Sequence, residues 1–458
     1  DNLWGRAARF TAALTYVILT IAMIVFFLTA GGQFLAEFLP FTPIQCATAV
    51  ALIALSYTLV GGLEGVIWTD VLQAGLIGAM ALYVSIIAAW QVTPELLASW
   101  PAASLNTFWP GGDDALLAPY SPFWAFLVVW FGKGVLEGLG GSGGSAYMAQ
   151  RFYAARSERD CRKIGLLWAL LFSARWPMVL GFALLALKLG FPVTNATEAE
   201  AILPAVLRSE LFPIGVRGLI IAAMLAAAMS TFDSTINAGA SYLVCDLYQP
   251  LRPAATERQL ARAGYLASVF VVAAGLILSF TLGASILELW IGIVMLLFPA
   301  FLVPFALRWF WARFNGAGFV CGIAAGFVAA WWFAWMRPTG WNEATQFLAI
   351  TAVSTVVSLL ATWATQPVDG ATLRNFYAHI RPFGLWPRKW RAPDRIEHRR
   401  DVLVLVVAII WQLLTFLVPM GAVLGLWSQV APGVIVWIAL GIYLWRAPDP
   451  KTPQSRPT

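Results

Sequence analysis

The chain has 458 residues, of which 60% are hydrophobic and 11% charged, well below the roughly one quarter charged that a soluble domain carries. That composition excludes a water-soluble globular protein. Four cysteines (Cys46, Cys161, Cys245 and Cys321) stand far apart with no C-x-x-C pair, so neither a zinc site nor a disulfide framework is suggested.

Apolar runs of about 20 residues recur along the whole length, each long enough to cross a hydrocarbon layer ~30 Å thick. They predict an all-α polytopic membrane protein with about twelve transmembrane helices. In chain order the first spans fall near 9–31, 43–61 and 66–90. Between the second and third lie Gly61, Gly62 and Glu64, and Asp70 follows in "WTDVLQ", where a first-turn carboxylate suits the helix dipole. The next span, 120–141, carries Lys133 and Glu137 at i, i+4 and runs into Gly138, Gly140, Gly141, Gly143 and Gly144. Two charges and a glycine run predict a discontinuous helix beside a cavity; the competing reading is a self-satisfied ion pair on a tightly packed face. Arg175 stands inside 163–189 as either a partner for an internal carboxylate or a base that snorkels to the headgroups.

The span 215–245 is treated below. It is followed by 260–282, by 285–307 with Glu288 at its start, and by 317–336 and 346–363. The one long polar stretch, "ATQPVDGATLRNFYAHIRPFGLWPRKWRAPDRIEHRR", predicts a cytoplasmic loop with a short helix lying on the membrane, and a regulatory partner could dock there. Both histidines, His379 and His398, fall in this loop. Two last spans, 402–426 and 431–446, give a three-part plan: a core over 1–363, a basic loop over 364–401, and a C-terminal helix pair with a short tail over 402–458. Many of the 23 tryptophans, Trp90, Trp309 and Trp445 among them, sit near span ends, as an amphipathic ring at the interface should.

Twelve spans put both ends of the chain on one side. If that side is cytoplasmic, the inner segments hold 23 of the 29 Lys and Arg residues, and the outer ones only Lys188, Arg208, Arg217 and Arg337. The positive-inside rule therefore predicts a multi-pass protein of the plasma (inner) membrane with both termini of this chain cytoplasmic. It also assigns the net charge of +6 to topology and lipid contact, so the bilayer is the expected partner and nucleic acid is not. No protein partner is evident.

The polar residues of 215–245 are the strongest functional signal. Ser230, Asp233, Ser234, Asn237 and Ser241 follow helical spacing and share a face. Ser230 is about 15 residues from the outer end, ~22 Å deep at 1.5 Å per residue. An Asp at that depth costs on the order of 3 kcal/mol and must face a bundle interior or a wet cavity. Small polar residues can also be mere glue between helices. Here the density of hard oxygen ligands points instead to a cation or proton site near the midplane. An enzyme is not expected: no histidine lies in a span for a serine hydrolase, no G-x-G-D stretch suggests an aspartyl protease, and no G-x-x-x-x-G-K-[ST] loop suggests a nucleotide-driven pump.

Three stretches add a resemblance. "AAAMSTFDSTINAGASYLVCDLY" is similar to the eighth core helix of the sodium/solute symporter family, "YTLVGGLEGVIWTDVLQ" to its fourth-to-fifth helix turn, and "YMAQRFYAARSERDCRK" to the inner loop after its sixth helix, with a weaker match at "LRNFYAHIRPFGLW". Their order and spacing extend the resemblance over nearly the whole chain. It implies a leucine-transporter-type fold of two inverted five-helix repeats and sodium-coupled symport of a small polar organic solute by alternating access. A symporter-fold sensor and a proton-coupled transporter are the alternatives.

Residue by residue, the resemblance implies that Na⁺ is held by the Ala227 carbonyl and the Ser230 and Thr231 hydroxyls. Asp233 stands where some members have a second ion site. Residues near Glu137, Gly138 and Gly141 correspond to substrate and gate positions, without the Asn and Tyr of sugar carriers. Arg175 falls roughly where a cavity-lining helix runs, and Glu288 where an outer vestibule would be. Together Lys133, Glu137 and Arg175 suggest a charged or zwitterionic solute. The family also places about three helices before the span that aligns with 9–31. Spans 9–90 thus give the last three helices of an incomplete first repeat and 120–307 a full second repeat; the start at Asp1 rather than Met favours a fragment over a protein that has lost half its ion site. Normal sodium affinity is not expected of the chain as given.

Overall fold

The computed structural model describes residues 3–98, 123–140, 151–152, 154–191, 196–336, 339–391 and 395–446. Among these residues the chain is helical, with no β-strand and an isolated bridge between Trp311 and Leu385. Among the described residues, eleven helices are long and apolar enough to cross a membrane. They are α1 (Leu3–Ala36), α2 (Pro43–Gly62) and α3 (Glu64–Gln91), then α5, which spans Arg159–Lys188. A long α6 begins at Ile214, passes through a π-helical turn at Tyr242–Tyr248 and continues to Leu251. After α7 (Glu257–Leu282), α8 starts at Ile286, runs through a π-helical segment, Gly292–Leu297, and reaches α9 (Leu302–Phe310). The remaining spans are α10 (Gly316–Met336), α11 (Glu343–Ala364), α13 (Arg399–Val423) and α14 (Trp427–Arg446). Helix α4 (Phe123–Gly140) stands where the span over 120–141 was expected, and the loop helix α12 covers Gly370–Ile380. Every span read from hydropathy thus has its helix.

The helices start where their first residues can satisfy orphan N–H groups. Ser157 receives the Asp160 N–H ahead of α5, Thr256 and Gln259 form a reciprocal capping box at α7, and Asn342 receives the Thr345 N–H at α11. Asp369 accepts the Ala371 and Thr372 N–H groups at 3.0 Å ahead of α12, and these bonds hold its carboxyl below the usual range. Helices α2 and α3 are separated by Gly62, whose φ of 52° and ψ of −148° suit only glycine.

Two compact units emerge. One comprises Asp1–Val71, Asp113–Ala149 and Leu225–Pro387, and the other Leu72–Gly112, Gln150–Met224 and Arg388–Thr458. The first is centred on aromatic side chains from α8, α9, α10 and α11: Phe298, Phe301, Phe305, Phe319, Phe333 and Phe347 are all buried. Tyr16 of α1 stacks on Tyr242 with ring centroids 4.5 Å apart. Gly318 and Gly322 of α10 let the Ser358 and Thr362 side chains of α11 approach closely, as small residues do between membrane helices. In the second unit Phe182 and Phe212 pack together, Gln412 of α13 donates to the Ser173 hydroxyl of α5 at 2.9 Å, and Trp437 donates to Thr415 at 2.8 Å.

Candidate functional site

The site grows from the middle of α6. Asp233, Ser234 and Thr235 are buried, with 0%, 3% and 2% of their surface exposed, so three oxygen-bearing side chains in a row have been drawn out of solvent. Each hydroxyl is anchored on its own helix. Ser234 donates to the Ser230 carbonyl at 3.0 Å, Thr235 to the Thr231 carbonyl at 2.6 Å, and Thr231 to the Ala227 carbonyl at 3.3 Å. Such back-bonding meets the hydroxyl protons and leaves oxygen lone pairs facing outward.

The neighbouring elements then close on this face. Tyr57 of α2 donates its hydroxyl to Asp233 Oδ2 at 2.7 Å, and the Ser230 hydroxyl donates to Asp70 Oδ1 of α3. Two more polar groups are buried here on α2 and α6: Thr58 Oγ1 and Asn237 Nδ2 have no hydrogen-bond partner among the described residues. Oxygen atoms meet at Ser230, Thr231 and Asp233, and among the described residues no group of three or more His, Cys, Asp or Glu residues suited to a metal occurs. A donor set of hydroxyls, carbonyls and carboxylates suits a hard ion and offers little to a soft one.

Of the residues singled out from sequence, Ala227, Ser230, Thr231 and Asp233 come together on this helix. Ala227 is exposed, and Ser230 and Thr231 are half-buried. Lys133 and Glu137 pair within α4 at 2.7 Å, with the Lys133 Nζ also 4.2 Å from the Phe298 ring centroid, so its charge is met locally. Gly138 is exposed on the same helix, while Gly141 lies outside the described residues. Arg175 belongs to the second unit, is exposed, and lays its guanidinium 3.8 Å over the Phe172 ring. Glu288 closes a capping box with Ser285 at the start of α8, taking the Ser285 N–H at 3.0 Å. The S-x-x-E spelling of that cap is visible in the sequence.

Tyr57 and the contact of Asp70 are what sequence reasoning missed. Asp70 reads from sequence as a first-turn residue, but α3 starts at Glu64, which puts Asp70 in the second turn, and its contact with Ser230 crosses 160 positions of chain.

A polytopic helical bundle that sets hydroxyls and a buried carboxylate deep on one helix against a carboxylate on a neighbouring helix has the form of a secondary transporter rather than of an enzyme. Comparison with known proteins places the chain more closely. The profile of the sodium:solute symporter family matches residues 5–326, and the chain belongs to that family. It is 23% identical over 276 residues to the sodium/sialic acid symporter NanT of Aliivibrio fischeri, covering 59% of this chain and 54% of that protein. It is 26% identical over 324 residues to the sodium/glucose cotransporter of Vibrio parahaemolyticus, covering 64% and 58%. The chain thus spans about half the length of the curated relatives it matches. A solved structure of a Na⁺-coupled sialic acid symporter, in a substrate-bound outward-open state, shares the fold with a TM-score of 0.61 at 20% identity, covering 80% of this chain and 76% of the other.

Proposed function

We propose that the protein is a sodium-coupled symporter of the plasma (inner) membrane, carrying a small polar organic solute by alternating access, with both ends of this chain on the cytoplasmic side. The observation that carries the reading is the oxygen cluster of α6 held against α3. The Ala227 carbonyl and the Thr231 hydroxyl lie 3.3 Å apart. Two oxygens at that spacing can both touch one small cation at the roughly 2.3–2.6 Å common for hard ions. Ser230, with Asp70 behind it, adds a third oxygen and a negative charge nearby. In this reading Na⁺ is the coupling ion, and it drives transport only through its different affinity for the outward- and inward-open arrangements.

Within the first unit the solute would meet the chain near Lys133, Glu137, Gly138 and Gly141, with Glu288 as a further charged candidate, and Arg175 of the second unit is a separate candidate. Charged side chains at these positions favour a charged or zwitterionic solute. Because Asp233 is buried beside Tyr57 and no basic side chain among the described residues bonds to it, a proton is the second candidate for its ligand.

The test is uptake by proteoliposomes carrying the protein at its full natural length, under imposed sodium or pH gradients. The panel should include neutral sugars, sialic acids, amino acids and carboxylates. Sodium-driven uptake is expected, and Ser230→Ala and Thr231→Ala should each raise the sodium concentration for half-maximal rate about tenfold or more, the effect of losing roughly 1.5–3 kcal/mol from a charge-assisted contact. Unchanged sodium activation in both variants would remove the assignment. Uptake of neutral sugars alone would overturn the charged-solute part.

A further inference from the structure

A second place in the first unit has the makings of a site. A cavity of about 510 Å³ opens where helix ends meet, between Arg9 of α1, Asp246 at the close of α6, Arg308 in the last turn of α9 and the loop helix α12. None of these residues takes part in the α6 oxygen cluster. Arg308 donates from Nη2 to the Gly140 carbonyl at 3.2 Å and lies 4.6 Å over the Phe305 ring, yet its buried Nε–H has no acceptor among the described residues.

The chemistry of a guest in this cavity can be narrowed from the groups that line it. Arg9 and Arg308 face the cavity against one carboxylate, Asp246, whose charge interacts with that of Arg9. Asn315 also lies on the wall, but its side chain is already committed to Thr365 and Gln366 on one side and the Gly318 N–H on the other. The excess charge is therefore positive and presented by planar guanidinium groups, which suit phosphate oxygens. The remaining wall is mostly apolar and carries Trp311 and Trp386, the residue type that settles at headgroup level. An inorganic anion gains nothing from apolar walls, whereas a headgroup with acyl chains uses both halves. Basic pockets between membrane helices are also where anionic lipid headgroups settle.

We propose that this cavity binds the headgroup phosphate of an anionic phospholipid, with Arg308 as its main ligand, Arg9 as the second, and Asp246 opposing them. The test uses purified protein in phosphatidylcholine nanodiscs with or without phosphatidylglycerol. Lipid retained after detergent extraction is read by native mass spectrometry, with the thermal midpoint as a second readout. Wild type should hold phosphatidylglycerol about tenfold over phosphatidylcholine, and Arg9→Gln with Arg308→Gln should bring this to background. Arg308→Lys should retain part of the preference. Asp246→Asn should strengthen it, which tests the sign without depending on a variant that loses an arginine. Equal retention of the two lipids by wild type, or a preference that survives the double substitution or falls with Asp246→Asn, would overturn the proposal. Inorganic phosphate matching the lipid's thermal shift would overturn the lipid as the source.

Discussion

Asp233 has no exposed surface, and the Tyr57 hydroxyl donates to its carboxylate at 2.7 Å from another helix. A hydrogen bond to a charged group is worth ~1.5–3 kcal/mol, and inside a bundle no water replaces it when it is lost. If Asp233 helps to hold a cation, Tyr57 sets its position and should be energetically coupled to it. Tyr57→Phe is expected to raise the cation concentration for half-maximal uptake about tenfold. Asp233→Asn should make the Tyr57→Phe change nearly silent, because the partner oxygen is no longer a carboxylate. A double-mutant cycle on uptake kinetics reads this directly, and additive effects of the two substitutions would show that the pair is not coupled. The contrast among residues also explains what could be read in advance. Ser230, Thr231 and Asp233 stand out in sequence because polar groups deep in an apolar run are conspicuous. Tyr57 does not, because a tyrosine near a helix end passes as an interface residue, and only the fold shows that its hydroxyl meets Asp233.

At the level of elements, the break between α2 and α3 decides whether the site exists. In one straight helix Tyr57 and Asp70 would be separated by ~20 Å of rise, whereas their partners Asp233 and Ser230 are separated by only ~4.5 Å along α6. Both contacts form because the chain turns at Gly62, which adopts φ 52° and ψ −148°. Any side chain there is strained by ~1–3 kcal/mol. Gly62→Ala should therefore lower the thermal midpoint and weaken cation activation together, while Gly65→Ala, in helical backbone with open space around its Cα, should leave both near wild type. The G-G pair signals a turn in the sequence, but the sequence does not say which contacts the turn makes. Helix ends were legible to different degrees. Leu3–Ala36 extends beyond the apolar stretch 9–31 because Arg6 and Arg9 can lie at the water boundary while the backbone stays helical. Asp369 at the start of α12 offers a pH signature: the bonds from Thr372 and Ala371 lower its pKa, so the cap contributes fully above the unfolded carboxyl value and is lost as pH falls through the lowered one. Amide exchange of Ala371 and Thr372 should thus rise on acidification in wild type, relative to the unfolded chain, and Asp369→Asn should flatten that dependence.

For the molecule as a whole, the spans were legible because lipid leaves the backbone no option but the helix, and the distribution of charge then bears on sidedness. Twelve alternating spans put the segments near Arg9, Arg308 and 364–401 on the same side, and Asp246 lies near the end of its span toward that side. They line one cavity of the first unit, as segments on a common side can and segments on opposite sides cannot. The sidedness itself can be measured. After replacement of Cys46, Cys161, Cys245 and Cys321, single cysteines at Ala254 and Ala371 should resist a membrane-impermeant maleimide until the membrane is opened. Single cysteines at Leu282, exposed at the end of α7, and at Thr339, exposed in the turn before α11, should label in intact cells. External labelling of both Ala254 and Ala371 positions would reverse the orientation, and would put 23 of 29 basic residues on the outer face against the rule that governs insertion. Disagreement between those two positions would be more damaging. It would place on opposite faces two connections whose neighbours, Asp246 and Thr372, share one cavity, so the fold of the first unit could not stand as described.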